Sequence, residues 1–225
     1  MVRFTSMSTL EPDDLRTLPI FPLPGAALFP GAALPLHVFE QRYRDLVRDA
    51  LAGNKALAVA RLRPGFESQY EGRPAVFDVC GAGVIEGYRT LEDGRYDILV
   101  RGVTRVRIVN EHAPLQKYRL VNATALADVA TAPELAAAFH ERLRSVWPTL
   151  APHLPEPVRD LATFARDAEG AGALSDRLAG SLFGDPELTQ RLLEELDPGE
   201  RMRIVTDELG EIAERLGVPS KRSLN

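Results

Sequence analysis

A single cysteine, Cys80, stands in this chain of 225 residues, so no intrachain disulfide can form. Lysine is almost as scarce, with Lys55, Lys117 and Lys221 the whole supply. A Ser–Lys catalytic dyad needs a lysine desolvated beside a serine; none of the three has such a setting, and Lys221 sits in a polar tail. The GxxxxGK(S/T) phosphate cradle is missing, so no backbone nest and lysine are offered to a nucleotide. No apolar run approaches the roughly 18 residues that a bilayer span requires, and no membrane partner is expected. Met1–Asp14 lacks an apolar stretch and carries Glu11, Asp13 and Asp14, which argues against a secretory signal and for a cytoplasmic address. His37, His112, His140 and His153 are scattered, without HExxH spacing or a second cysteine, so neither a metal site nor a cofactor is expected.

What is present is an ordinary globular balance, 45% hydrophobic and 26% charged, in a chain long enough to bury a core. Charge is uneven along it. Residues 1–126 hold 16 basic against 14 acidic side chains, and residues 127–225 hold 11 against 18. The overall charge of −5 makes nucleic acid an unlikely partner, because nonspecific binding rests on clustered basic groups.

The first half reads as β with one helix. Pro19, Pro22, Pro24, Pro30 and Pro35 exclude helix over Leu18–Leu36 and favour short strands, with tight turns at Pro24-Gly25 and Pro30-Gly31. Tyr43, Leu46, Val47, Ala50 and Leu51 then fall at helical spacing, with Gly53 at the position of a C-cap. Strand patterns follow at Ala56–Arg63, Ala75–Cys80, Gly83–Leu91, Tyr96–Val109 and Tyr118–Leu126, and Asp93-Gly94 is a hairpin signal. Gly81-x-Gly83 lacks the third glycine and the following helix of a dinucleotide loop, so it reads as a turn or bulge.

After Asp128 the pattern is helical. Helices are expected over Pro133–Val146, over Val158–Ala168, around Leu174, Leu178 and Leu182, and after two N-caps, Asp185-Pro186 and Asp197-Pro198, the latter with Glu200 at a capping-box position. Met202, Val205, Leu209, Ile212 and Leu216 form an apolar stripe that Gly217 and Pro219 end. Such a stripe is a packing face within a bundle or, alternatively, a homodimer seam.

The stretch LPIFPLPGAALFPGAALPLHVFE over Leu18–Glu40, continued by Gln41-Arg42-Tyr43-Arg44, resembles the opening of the Lon protease N-terminal (substrate-binding) domain family, in its stand-alone bacterial form. Leu62-Arg63-Pro64-Gly65, Tyr70-Glu71-Gly72, Asp93-Gly94-Arg95-Tyr96, Arg101-Gly102 and Arg105-Val106 extend the resemblance to about residue 126. It implies an α+β fold: a PUA-like, curled antiparallel β-domain with one helix over residues 18–128, then a helical bundle over 129–225, behind an extension over 1–17. Met7 is an alternative start, since nothing before it resembles the family. The resemblance implies no ATPase, no peptidase and no catalytic residues.

Two surfaces are candidates for binding. Phe66 and Tyr70, in a loop flanked by glycine and proline, with Phe29 and Phe39 at its border, would form an apolar patch for extended chains. Arg101, Arg105 and Arg107 would share one strand face, joined by Arg95, as a basic strip for acidic peptides or RNA phosphates. Either set is opposed by a plainer account: loop aromatics folded onto the core, and a solvated sheet face. His37 is expected as a buried histidine donating to backbone. The leading function is a non-catalytic binder of unfolded or extended polypeptide, an adaptor or chaperone-like partner of a separate ATP-dependent protease. The alternatives are RNA binding and a structural homodimer.

Overall fold

A computed structural model of the protein describes residues 10–130, 132–153, 170–182 and 184–216. The helix expected over Val158–Ala168, the start at Met7 and the terminating Gly217 and Pro219 lie outside the described residues. In chain order the elements are β1 (Leu18–Leu23), β2 (Ala33–Val38), α1 (Gln41–Ala52), β3 (Ala56–Arg61), β4 (Val79–Thr90), β5 (Tyr96–Glu111), β6 (Arg119–Leu126), α2 (Pro133–Leu150), α3 (Ala171–Leu182), α4 (Pro186–Glu194) and α5 (Pro198–Arg215). They divide into two compact units: Met1–Ala127 with Gly184–Glu194, and Asp128–Phe183 with Glu195–Asn225. The fold class is α+β, as expected.

In the first unit the strand order is β2-β5-β4-β3-β1-β6, and β6 also pairs with β5. The second pairing closes the sheet on itself, since the last strand returns to a member already inside it. β5 makes this possible by its length: Tyr96–Arg101 pairs with β2, whereas Arg105–Glu111 pairs with β6. The sheet is mixed, not wholly antiparallel, because β1 and β3 run parallel. Parallel neighbours need a crossover between them, and here β2 and α1 supply it.

β3, ALAVAR, is buried at every residue. Ala56, Ala58 and Ala60 pack into one core with Leu18, Ile20, Cys80, Val106 and Val121. Leu57 and Val59 face another, with Phe21, Leu28, Leu46, Val47 and Val100. A strand covered on both faces reads as a continuous apolar run. Full burial of each Leu or Ile contributes about 1.5–3 kcal/mol. Cys80 is completely buried, and that burial pushes its thiol up to about 12.

Two expected strands, Ala75–Cys80 and Gly83–Leu91, are in fact one, β4, which runs through Gly81-Ala82-Gly83; Val76 keeps only an isolated bridge to Leu62. Gly81-x-Gly83 therefore marks a bulge, since the β4–β5 register slips between Ala82 and Gly83. The reason is the chain between β1 and β2. A Cβ on Gly81 would lie 1.7 Å from the Leu28 carbonyl oxygen, and one on Gly102 would lie 2.0 Å from that of Phe29. The Gly31 amide donates to the Gly102 carbonyl and the Gly102 amide to the Ala32 carbonyl, each at 2.9 Å. At Asp93-Gly94 the expected hairpin forms: Gly94 takes φ of +76°, and Leu91 donates to the Arg95 carbonyl at 2.8 Å. Gly53 occupies the α1 C-cap with φ of −109°, so it is not left-handed; Lys55 takes that conformation instead.

α4 packs within this first unit. Its N-cap is the expected one, the Glu187 amide donating to the Asp185 carboxylate at 2.9 Å. Arg61 donates to the Pro186 carbonyl at 2.7 Å and pairs with Glu187. Gln190 donates to the Val79 carbonyl at 3.0 Å.

In the second unit α5 packs against α2 and α3. Met202, Val205 and Leu209 are spent inside this bundle, each at most 1% exposed, while Leu216 is 47% exposed. Asp197 caps α5 by accepting from the Gly199 amide at 2.8 Å. The Asp197 amide donates to the Glu195 carboxylate at 2.8 Å, and the Glu200 carboxylate forks with Arg203. Arg201 is 1% exposed and donates to both carboxylate oxygens of Asp128, to Ser175 and to the Glu195 carbonyl, with Asp176 at 3.3 Å.

Two outcomes follow for stability. Gly102→Ala is expected to cost more than about 3 kcal/mol, because backbone must move; Gly87→Ala, which meets nothing within 4 Å, is expected to cost less than about 1 kcal/mol. Urea unfolding followed by circular dichroism checks both. Arg201→Met removes the buried cation that faces Asp128 and Asp176, and a loss of about 3–5 kcal/mol is expected, read from fluorescence of Trp147, the single tryptophan. Comparable unfolding midpoints for that variant and the wild type would contradict it.

Candidate functional site

The first unit carries a shallow cleft of about 30 Å³, lined by residues from β1, α1, the β3–β4 loop, the β5–β6 loop and the start of β6. Pro22, Leu62 and Pro74 are its apolar lining, with Gly72 beside them, and Tyr43, Tyr70 and Tyr118 its aromatic lining. Four cations, Arg42, Arg73, Lys117 and Arg119, complete it.

The walls are fixed by pairing. The Tyr43 ring stacks on Phe21 with centroids 4.3 Å apart. The Arg42 guanidinium lies over the rings of Tyr43 and Tyr70, at 4.7 and 5.0 Å. Glu40 accepts from Arg42 at 3.0 Å and from the Tyr70 hydroxyl at 2.6 Å, and Arg42 also donates to the Tyr70 carbonyl at 3.1 Å. Arg119 forks onto Glu111 through two bonds of 2.9 Å and donates to the Pro74 carbonyl at 2.7 Å. Such two-pronged pairs hold both members in one geometry.

The phenols are neutral at ordinary pH. Burial pushes Tyr43 up to about 12, although Arg42 and Arg119 oppose it. Burial, then the bond donated to Asp49 at 3.0 Å, pushes Tyr118 up to about 12. Tyr70 is raised as well, by burial and by its bond to Glu40. The cleft thus offers flat ring surfaces between cations, an arrangement suited to binding. Among the described residues no group of three or more His, Cys, Asp or Glu side chains is placed to hold a metal ion.

Of the four aromatics read from the sequence, only Tyr70 lines the cleft. Phe29 is fully buried and presents nothing to a ligand, because its segment crosses the glycines of β4 and β5. Phe66 packs beside Tyr70, with centroids 6.1 Å apart, and both lean on the core. Phe39 is 61% exposed, with its ring 6.3 Å from His37. His37 is no buried backbone donor; it is exposed and lies 2.7 Å from the Asp97 carboxylate. His37 and Arg89 together hold Asp97 below the usual carboxylate range.

The basic strip is not a strip. The β5 register slips at Val103, so Arg101 and Arg105 do not share a face. Arg105 is 2% exposed and donates to the Leu193 carbonyl at 3.0 Å, at the C-terminal end of α4, where a cation offsets the helix dipole. Arg101 is held by Glu86 and the Gly31 carbonyl. Arg95 is held by Asp93, and Arg107 is exposed. Six cleft residues went unread, namely Arg42, Tyr43, Arg73, Lys117, Tyr118 and Arg119. Their signal was the adjacency of cation and tyrosine in Arg42-Tyr43 and Lys117-Tyr118-Arg119.

A family model for the ATP-dependent protease La (LON) substrate-binding domain matches residues 17–211. The Lon protease of Roseiflexus castenholzii is 33% identical over 212 residues, 89% of this chain and 25% of that protein. The Lon protease of Chloroflexus aurantiacus is 30% identical over 200 residues, 87% of this chain and 23% of that protein. The chain thus spans about a quarter of the length of these relatives. Among solved structures, the N-terminal domain of Mycobacterium avium complex Lon protease is similar with a TM-score of 0.69 at 17% identity, covering 87% of this chain and 99% of that one, a likeness of fold. The Lon N-terminal domain protein from Xanthomonas campestris gives 0.58 at 25% identity, covering 83% and 95%. No helix among the described residues is long and apolar enough to cross a membrane.

The cleft phenols give a pH signature. Tyr43 and Tyr118 are raised in the folded state, so their contribution to stability is complete below pH 10 and is lost as pH rises through about 12. Absorbance titration of the native protein near 295 nm is expected to show at least two of the five tyrosines ionising late, and one fewer in Tyr118→Phe. Five phenols titrating together near 10 in the native protein would contradict the packing described.

Proposed function

The chain belongs to the ATP-dependent protease La (LON) substrate-binding domain family, and from that membership we propose that it is a non-catalytic cytoplasmic module that captures extended polypeptide for protein turnover. In this reading it serves as an adaptor or chaperone-like partner of an ATP-dependent protease. The observation that carries the choice of surface is the cleft, where three tyrosine rings and four cations line one concavity of the first unit. Rings of this kind give contact area at little cost in side-chain entropy, and they accept varied sequences because burial of apolar surface is non-directional. Fixed walls spare the ordering cost of binding.

Fluorescence anisotropy with a labelled, permanently unfolded polypeptide, beside a mixed-sequence single-stranded RNA at physiological salt, tests the proposal. Saturable binding of the polypeptide, in the micromolar range typical of transient recognition (about −8 kcal/mol), and none of the RNA is expected. Tyr70→Ala is expected to weaken it at least about fivefold, and Arg107→Ala to leave it unchanged. Binding of RNA alone, or of neither probe, would contradict the reading.

A further inference from the structure

The cleft's cations are not engaged alike, and the difference points to a ligand chemistry. Glu111 is one carboxylate serving two guanidiniums. Arg119 takes both of its oxygens and is only 11% exposed. Arg73 reaches the same carboxylate through one nitrogen at 2.9 Å, and its other bond, to the His112 carbonyl, is long at 3.4 Å. Arg73 is 36% exposed, so most of its donor fork remains open to solvent. Lys117 is 71% exposed and stands 3.8 Å from Asp45, a carboxylate already held by Arg48 at 2.6 Å. Arg73 and Lys117 line the same cleft. Each has an acid beside it that another arginine already satisfies.

With Asp49, the second partner of Arg48 at 3.0 Å, counted among the acids, a further carboxylate arriving there would match these four cations one to one and would displace no existing fork. From this geometry we propose that the cleft selects acidic side chains, so that an Asp or Glu of the bound extended polypeptide sits between Arg73 and Lys117 while its neighbours lie on the tyrosine rings. The proposal rests on the polypeptide-binding reading and adds the substrate class to it. Side-chain carboxylates fit better than a chain terminus, because terminal carboxylates are captured by nests of backbone amides, whereas the open donors here belong to side chains. Charge complementarity of this kind raises encounter rates and sets specificity.

The test uses the whole protein and three labelled peptides of one sequence: an acidic peptide with an amidated C-terminus, its Asn/Gln isostere likewise amidated, and the isostere with a free C-terminus. The acidic peptide is expected to bind at least about tenfold tighter than the amidated isostere at low ionic strength, with the gap shrinking as salt rises. The double variant Arg73→Ala, Lys117→Ala is expected to erase that gap, so that the acidic peptide and its amidated isostere bind alike, with the circular dichroism spectrum unchanged. Equal affinities in the wild type, a gap that survives the double variant, or a gain from the free C-terminus alone would each overturn the proposal. Displacement of the acidic peptide by mixed-sequence RNA, lost in the double variant, would overturn it in favour of phosphate. Binding of the isostere keeps the two readings separable: if it binds and the acidic form gains nothing, only the selectivity fails. If no peptide binds, both readings fail.

Discussion

Two carbonyl oxygens, those of Leu28 and Phe29, pass so close to Gly81 and Gly102 that no side chain fits between them. Much of the first unit depends on that approach. It seats Leu28 and Phe29 with no exposed surface, and it ties the chain between β1 and β2 to β5 through the Gly31–Gly102 and Gly102–Ala32 hydrogen bonds. The register slip beside it divides β5 between two sets of neighbours, so that β6 can return and close the sheet. The cleft inherits this order. Pro22, Tyr43, Tyr70 and Tyr118 come from four separate stretches of chain, and they meet because β1, α1, the β3–β4 loop and β6 are each anchored to the closed sheet or its core.

Arginine supplies much of the remaining cohesion. Only three of the 27 basic residues are lysine, and a planar guanidinium can serve carboxylates and carbonyls in one geometry. Arg105 holds the end of α4, Arg61 its beginning, and Arg119 a corner of the cleft. In the second unit Arg201 does the same among Asp128, Asp176 and Ser175. Cations used in this way are structural, which is why a tally of basic residues along a strand says little about binding. Those that stay partly open, such as Arg73 and Lys117, are the ones left for a partner.

The sequence made the fold class legible because its signals were local. Prolines bounded the first strands, Asp93-Gly94 fixed a hairpin, and Asp185 and Asp197 announced two helices, each by chemistry that acts within a few residues. The parallel pairing of β1 with β3, the slip at Val103 and the packing of α4 with the sheet are long-range, and no local pattern encodes them. The candidate site suffered most. Arg101, Arg105 and Arg107 alternate correctly on paper, yet one extra residue in β5 puts Arg101 on the other face, and α4 covers Arg105. Phe29 sits in a segment rich in proline and glycine that reads as an exposed loop, and two distant glycines, Gly81 and Gly102, draw it into the core. Tyr70 was found, but its partners at 42–43 and 117–119 are remote in sequence and meet only in the fold.

The central claim is that extended polypeptide lies in the tyrosine-lined cleft of the first unit. The most direct measurement is photo-crosslinking of an unfolded polypeptide carrying benzoylphenylalanine, with the attachment sites mapped by mass spectrometry. The account expects attachment to concentrate in residues 70–74 and 117–119 and around Tyr43. Attachment mainly along the exposed β2 face near Phe39, or within α5, would contradict it.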